Sequence, residues 1–349
     1  MDSHIRFCIL LLMRRNLMPL IRGCSGKALG ILAAALAAVC LFPALLAGQS
    51  SARDALTIFP ADTQEFAYSN LAELRSQPNF QVIQTRLLNS QMRGFTGFLR
   101  SMGVDPNNDV DEVTLGWHGS PIDPSAYYGL ALGRFDPGKV HNYVVEQNLP
   151  WQQYGGYDLY AYGAGSGAQD LYFAFLSYST AAFGRLGDLK MLLDVRAGSK
   201  PALESKASFV NYESELEGTS PQWGIATGPA AANQAAPWLA GGAKLPFDPQ
   251  SALSPVRAVL YRIDWANNFT MRMSVVCDSV QSATLLARLI TAWQGVQQAP
   301  GANLNPAITG FVQSLQVSSN GARVELTGSG PVEVLGQILN GPVHPSRQQ

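Results

Sequence analysis

The stretch Val256–Cys277, VRAVLYRIDWANNFTMRMSVVC, decides the fold class. Val259, Tyr261, Ile263 and Trp265 recur at every second position, and so do Phe269, Met271, Met273 and Val275 after them. A period of two is the mark of a strand with one buried face. The link Ala266-Asn267-Asn268 suits a tight turn, so the two runs read as an antiparallel hairpin with Arg257, Arg272 and Ser274 facing outward. The period then changes. Leu286, Leu289, Ile290 and Trp293 stand at i, i+3, i+4 and i+7, one stripe of a helix. A hairpin with one apolar face, followed by a helix with one apolar stripe, buries both by packing one on the other.

The same order is legible elsewhere. Val113, Leu115 and Trp117 alternate in one strand, and Tyr127 to Phe135 reads as its partner. Asp136-Pro137 then opens a helix, the acid as N-cap and the proline in the first turn. Tyr157 to Tyr162 and Leu171 to Tyr178 read as a hairpin across Gly163–Gly167, with a helix over Leu186 to Val195. Phe311 to Val317 and Arg323 to Thr327 flank Asn320-Gly321, a strong hairpin signal, and a last helix is expected from Pro331 to Leu339. Upstream, Glu65 to Ser69 reads as a strand and Pro78 to Met102 as a helix weakened by Gly94 and Gly97. The expectation is an α+β fold: antiparallel sheets built from repeated hairpin-then-helix units, with the helices packed on one face. The Ala/Pro/Gly-rich stretch from Gly228 to Pro255 places a boundary between halves at 53–228 and 229–340, and 341–349 reads as a tail.

The N-terminus carries a different signal. Ala28–Ala47, ALGILAAALAAVCLFPALLA, holds no charge and follows Arg14, Arg15, Arg22 and Lys27. This is the layout of a signal peptide or a single transmembrane anchor over residues 1–52, with Ser50 and Ala52 fitting cleavage before Arg53. The segment holds five basic residues and one acid, so 19 basic and 24 acidic groups remain beyond it, a net charge of −5. That balance excludes a nucleic-acid partner, which needs a basic face. Of four cysteines only Cys277 lies beyond the leader, so no disulfide forms within residues 53–349.

Two segments carry a family resemblance. Ala182–Gly218, AFGRLGDLKMLLDVRAGSKPALESKASFVNYESELEG, resembles a recurrent block in a loosely defined family of exported bacterial proteins of unknown function, and Met102–Gly116, MGVDPNNDVDEVTLG, resembles the same family's helix-to-strand joint. The resemblance implies export and an α+β fold, and supplies no catalytic residue.

Candidate chemistry is sparse. Asp105, Asn107, Asp109 and Asp111 resemble the start of a calcium loop, but Val110 stands where the turn glycine belongs and Gly116 where the bidentate acid belongs. A solvated turn is the simpler reading. His118 and His141 form no His-x-His or His-x-x-x-His pair, and no Gly-x-Ser-x-Gly elbow is present. Trp151, Tyr157, Tyr160, Tyr162 and Tyr172 concentrate aromatic surface that can bind glycan, lipid or a partner strand. No catalytic residue, metal or cofactor is assigned. The expected function is a non-enzymatic binding or scaffolding module of the cell envelope. It would be extracytoplasmic or membrane-tethered through the N-terminal segment, and its partner an envelope protein, a glycan or a lipid. The alternatives are a hydrolase with dispersed residues and a carrier of an apolar ligand between helix layer and sheet.

Overall fold

The computed structural model describes residues 50–78, 80–81, 90–118, 126–240, 252–266, 268–297, 306–332 and 334. The leader helix expected within 1–49 and the tail 341–349 lie outside the described residues. No helix among the described residues is long and apolar enough to cross a membrane.

The strands are β1 (Thr63–Asn70), β2 (Val110–His118), β3 (Tyr128–Gly133), β4 (Trp151–Tyr154), β5 (Tyr157–Tyr162), β6 (Leu171–Phe175), β7 (Thr180–Arg185), β8 (Gln222–Thr227), β9 (Val256–Trp265), β10 (Phe269–Cys277), β11 (Gln316–Asn320) and β12 (Arg323–Gly330). They form one antiparallel sheet in the order β11-β12-β10-β9-β8-β1-β2-β3-β7-β6-β5-β4. The helices are α1 (Ser51–Ile58), α2 (Leu71–Leu74), α3 (Ser90–Ser101), α4 (Pro106–Asp109), α5 (Pro137–Glu146), α6 (Leu186–Arg196), α7 (Ala207–Leu216), α8 (Pro229–Ala240), α9 (Val280–Gln297) and α10 (Pro306–Ser314). The chain is α+β, with a large antiparallel sheet as its frame.

The hairpin of β9 and β10 has the register its sequence dictates: Trp265 opposes Phe269, Ile263 opposes Met271, Tyr261 opposes Met273 and Val259 opposes Val275. Directly opposed residues of an antiparallel pair share a face. The pairs Ser69–Val113, Val113–Ala131, Ala131–Ala181 and Ala181–Phe175 therefore put all five residues on one face, the front. Ser69–Gln222, Gln222–Ile263 and Ile263–Met271 extend that face to the other end of the sheet.

Two cores lie on the front. One packs β9, β10 and β12 against α8, α9 and α10 through Ile263, Met271, Met273, Leu286, Ile290, Trp293 and Phe311. The other packs β3, β6 and β7 against α3 and α5 through Phe95, Ala131, Val140, Val144, Phe173 and Phe183. The third core is on the back, where α1, α6 and α7 cover Phe66, Leu130, Ala174, Ala182, Trp223 and Leu260. The expectation of helices on one face is thereby corrected. In YGLALG of β3 and LYFAF of β6 both alternate sets are apolar, so both faces are covered. Fully burying one large apolar side chain contributes roughly 1.5–3 kcal/mol, so neither face of these strands can be left open.

Other expectations change. The boundary after residue 228 does not divide the sheet, because β8 pairs with β9 across it from Gln222–Ile263 to Thr227–Ala258. Ser50 onward forms one compact unit, so the fold begins before Arg53. Ser50 caps α1, and Ser51 and Ala52 are fully buried. Phe311 lies in a helix rather than a strand: Phe311 and Val312 are buried in α10, Leu315 is buried just after it, and the strand begins at Gln316. Of the stripe on α9, Leu289 is only partly buried, and outward Ser274 is buried with its hydroxyl on Glu325 at 2.8 Å.

Candidate functional site

The front of the sheet holds a cavity of about 340 Å³. Its floor crosses six adjacent strands: Gln222 of β8, Ala67 and Ser69 of β1, Val113 and Leu115 of β2, Ala131 of β3, Ala181 and Phe183 of β7, and Phe173 and Phe175 of β6. At about 4.8 Å per strand, five steps make a floor roughly 24 Å long. Met92, Phe95, Thr96 and Leu99 of α3 face it, with Leu71 and Leu74 of α2 and Phe80 at one end. Val104, Pro106 and Phe135 complete the wall. The residues at its centre are small or aliphatic, Ala67, Val113, Leu115 and Ala131, with Ala181 next to them, whereas Phe173, Phe175 and Phe183 close the β6 end. The volume lies within the range of roughly 300–1,000 Å³ that small-molecule sites occupy.

No charged side chain lines this cavity among the described residues. Its polar groups are Ser69, Thr96 and Gln222. The Thr96 hydroxyl donates to the Arg93 carbonyl of its own helix at 2.8 Å. Arg75, next to Leu74, turns its guanidinium to the Val110 carbonyl and to Asp111, at 3.2 Å from that carboxylate.

A smaller cleft of about 200 Å³ opens on the back, lined by Tyr68, Asn70, Glu73, Glu217, Trp223 and Asp264. Its carboxylates are largely engaged: Arg53 pairs with Glu217 at 2.6 Å and Arg272 with Asp264 at 2.7 Å. The single turn α2 separates the two spaces, giving Leu71 and Leu74 to the cavity and Glu73 to the cleft.

The residues singled out in the sequence do not converge on the cavity. Asp105 caps α4: its Oδ1 accepts from the Asn107 amide at 3.1 Å, and Arg100 donates to it at 3.0 Å. The Arg100 hydrogen bond holds the Asp105 carboxyl below the usual range. Asp109 accepts from the Asp105 amide at 2.7 Å, and Asp111 meets Arg75 and Arg134 at 3.2 and 3.7 Å. These oxygens serve a cap and ion pairs, and no group of three His, Cys, Asp or Glu that could hold a metal occurs among the described residues.

His118 ends β2 and bridges two carboxylates, Nε2 to Asp188 at 3.1 Å and Nδ1 to Asp62 at 3.5 Å. His141 Nδ1 lies 3.2 Å from Asp158 and 3.3 Å from the Tyr160 hydroxyl. Neither ring has a serine, threonine or cysteine among these partners. Burial pushes the Cys277 thiol up, away from the reactive thiolate.

The aromatic concentration divides between the faces. Trp151, Tyr160 and Tyr162 are on the front, where Trp151 opposes Tyr160 and Tyr160 opposes Phe173. Tyr157 and Tyr172 are on the back, Tyr157 accepting from Arg196 at 3.1 Å and Tyr172 donating to the Gly165 carbonyl at 2.7 Å. Tyr160 and Tyr172 are buried; only Trp151 is exposed, at 40%. They form no continuous surface strip. The cavity residues went unnoticed in the sequence because they come from six strands, four helical segments and the loops between them. The usable signal was the run of apolar residues without alternation in β3, β6 and β7.

No family model matches the sequence, and no curated protein matches it. Among solved structures, crystal form I of TP0453 is similar with a TM-score of 0.49 at 12% identity, covering 84% of this chain and 97% of that one. Crystal form IV of TP0453 gives a TM-score of 0.47 at 13% identity, covering 82% and 97%.

Proposed function

We propose that this protein is a binding module for an elongated apolar ligand, acting beyond the cytoplasmic membrane or tethered to it. The observation that carries the reading is the cavity between the front of the sheet and α3, about 340 Å³ in volume, with no charged side chain among the described residues that line it. Water in such a space finds few hydrogen-bonding partners, so an aliphatic chain replaces it favourably. The floor is long across the strands and lined by small and aliphatic residues at its middle, which fits a chain better than a compact ring system. Export is supported by the charge-free run Ala28–Ala47 behind four basic residues, and by the likeness of two segments to exported proteins. Among the proposed partners, lipid thus takes precedence over glycan or an envelope protein.

The test is displacement of a neutral fluorescent naphthylamine probe from the purified full-length chain by long-chain compounds, with Ala67→Phe as the blocking variant. Ala67 is partly exposed on the cavity floor, so a larger side chain there fills space the ligand needs. Binding in the parent and its loss in a folded Ala67→Phe variant are expected. Equal binding by both would remove the cavity from consideration.

A further inference from the structure

The polar end of the cavity is a fixed pair of donors. The Trp265 Nε1–H, which can only donate, gives its hydrogen to Gln222 Oε1 at 2.7 Å. That contact settles which way the Gln222 amide points, and its Nε2 donates to the Ser69 hydroxyl oxygen at 3.0 Å. Nε2 carries a second hydrogen, and the Ser69 hydroxyl keeps its own. Ser69 and Gln222 are partly exposed and line the cavity at its β1–β8 end, beside Leu71 and Leu74. Thr96, the other polar residue among the described lining residues, spends its hydroxyl hydrogen within α3.

Resting on the reading above, we infer that the ligand is a neutral acyl compound, an ester, whose carbonyl oxygen takes both hydrogens from Ser69 and Gln222 while its chain runs along the floor toward Phe173 and Phe175. Two neighbouring donors suit one acceptor oxygen with two lone pairs. No lysine, arginine or histidine lines the cavity among the described residues, so a carboxylate entering it loses its hydration without gaining a counter-charge. A bare alkane leaves the donors without an acceptor, which wastes the hydrogen bonds they can form.

The experiment displaces the same naphthylamine probe from the full-length chain with methyl laurate, dodecane and laurate, at about pH 8, where the acid is ionised. Parent, Ser69→Ala and Gln222→Leu are compared, after thermal melts show that each variant is folded. One net hydrogen bond corresponds to roughly a 3- to 10-fold preference. Methyl laurate takes two, so it should outcompete dodecane by about 10-fold or more in the parent and outcompete laurate at least as strongly. In each variant, which keeps one of the two donors, the ester's advantage over dodecane should fall by about the 3- to 10-fold of one hydrogen bond while dodecane binding holds. Ester and alkane binding equally in the parent, laurate binding as tightly as the ester, or variants that keep the parent's preference would each overturn the inference while leaving the cavity a site for chains. Failure of all three compounds to displace the probe would overturn the cavity reading and the inference with it.

Discussion

The hydroxyl of Tyr162 on β5 occupies the space that a Cβ at Gly94 of α3 would need. The helix rests directly on the strand because residue 94 has no side chain. Phe95 and Phe98 pack against the Tyr162 ring, with centroids 5.7 and 5.3 Å away, so moving it aside disturbs both contacts. The glycine that weakens α3 as a helix is thus what lets it close over the sheet.

Gly94→Ala should therefore destabilise the chain, even though alanine favours a helix interior by about 1 kcal/mol over glycine. In a Tyr162→Phe background the obstructing oxygen is gone and the same change should be neutral or stabilising. Denaturant unfolding of the two single variants and the double variant measures the coupling, about 1 kcal/mol or more for groups in contact. Additive effects would mean that the helix and strand are not in register as described.

The core hairpin gives a contrast of magnitudes. Ile263 is buried on the front of β9, whereas Arg272 is exposed on the back and pairs with Asp264 at 2.7 Å. Ile263→Ala should cost about 2–5 kcal/mol through lost transfer energy and the cavity left behind. Arg272→Ala should cost at most about 1 kcal/mol, the range of exposed ion pairs. Unfolding curves in urea check both, and a larger loss at Arg272 would reverse the faces.

That hairpin was the most legible part of the chain, down to the register of Ile263 against Met271, because one face alone is apolar along most of its length. Strand β7, Thr180–Arg185, was implied only by the family resemblance of Ala182–Gly218 and not by its own residues: TAAFGR is short, lacks alternation, and is buried on both faces. Continuous apolar runs of this kind do not reveal how many helix layers cover them. The cavity was less legible still. Ser69 and Gln222 are far apart in sequence and unremarkable as residues, and only the β1–β8 pairing makes them neighbours. The acids of Asp105–Asp111 were conspicuous in sequence because capping α4 and pairing with Arg75, Arg100 and Arg134 require them.

His118 supplies a pH-dependent contact. Its hydrogen bond to Asp188, aided by the charges of Asp188 and Asp62, holds the imidazole above its ordinary value, against burial, which works the other way. A pKa raised in the folded state means that the bridge stabilises fully below the ordinary imidazole value of about 6.5 and that the contribution is lost as pH rises through the raised value. His118→Gln should therefore cost more stability at about pH 6 than at about pH 9. Melting temperatures of parent and variant across that window test this. A gap that widens with rising pH would contradict the sign.

The start of the fold can be tested by truncation. The Ser51 amide donates to Glu112 at 2.8 Å, the Ser51 and Thr114 hydroxyls meet at 2.8 Å in the core, and Ser50 accepts from the Ala52 amide at 3.3 Å to cap α1. Ala52 and Ala55 are fully buried beneath it. A chain beginning at Arg53 loses the cap, the contact to Glu112 and one buried hydroxyl pair at once. A cap contributes about 1 kcal/mol and a hydrogen bond to a charged group about 1.5–3 kcal/mol, so the deficit relative to a chain beginning at Gly48 should reach about 2 kcal/mol or more. Denaturant midpoints of the two chains measure it. Coincident curves would show that residues 48–52 are dispensable, and would restore the boundary before Arg53 that the small residues of the leader suggest.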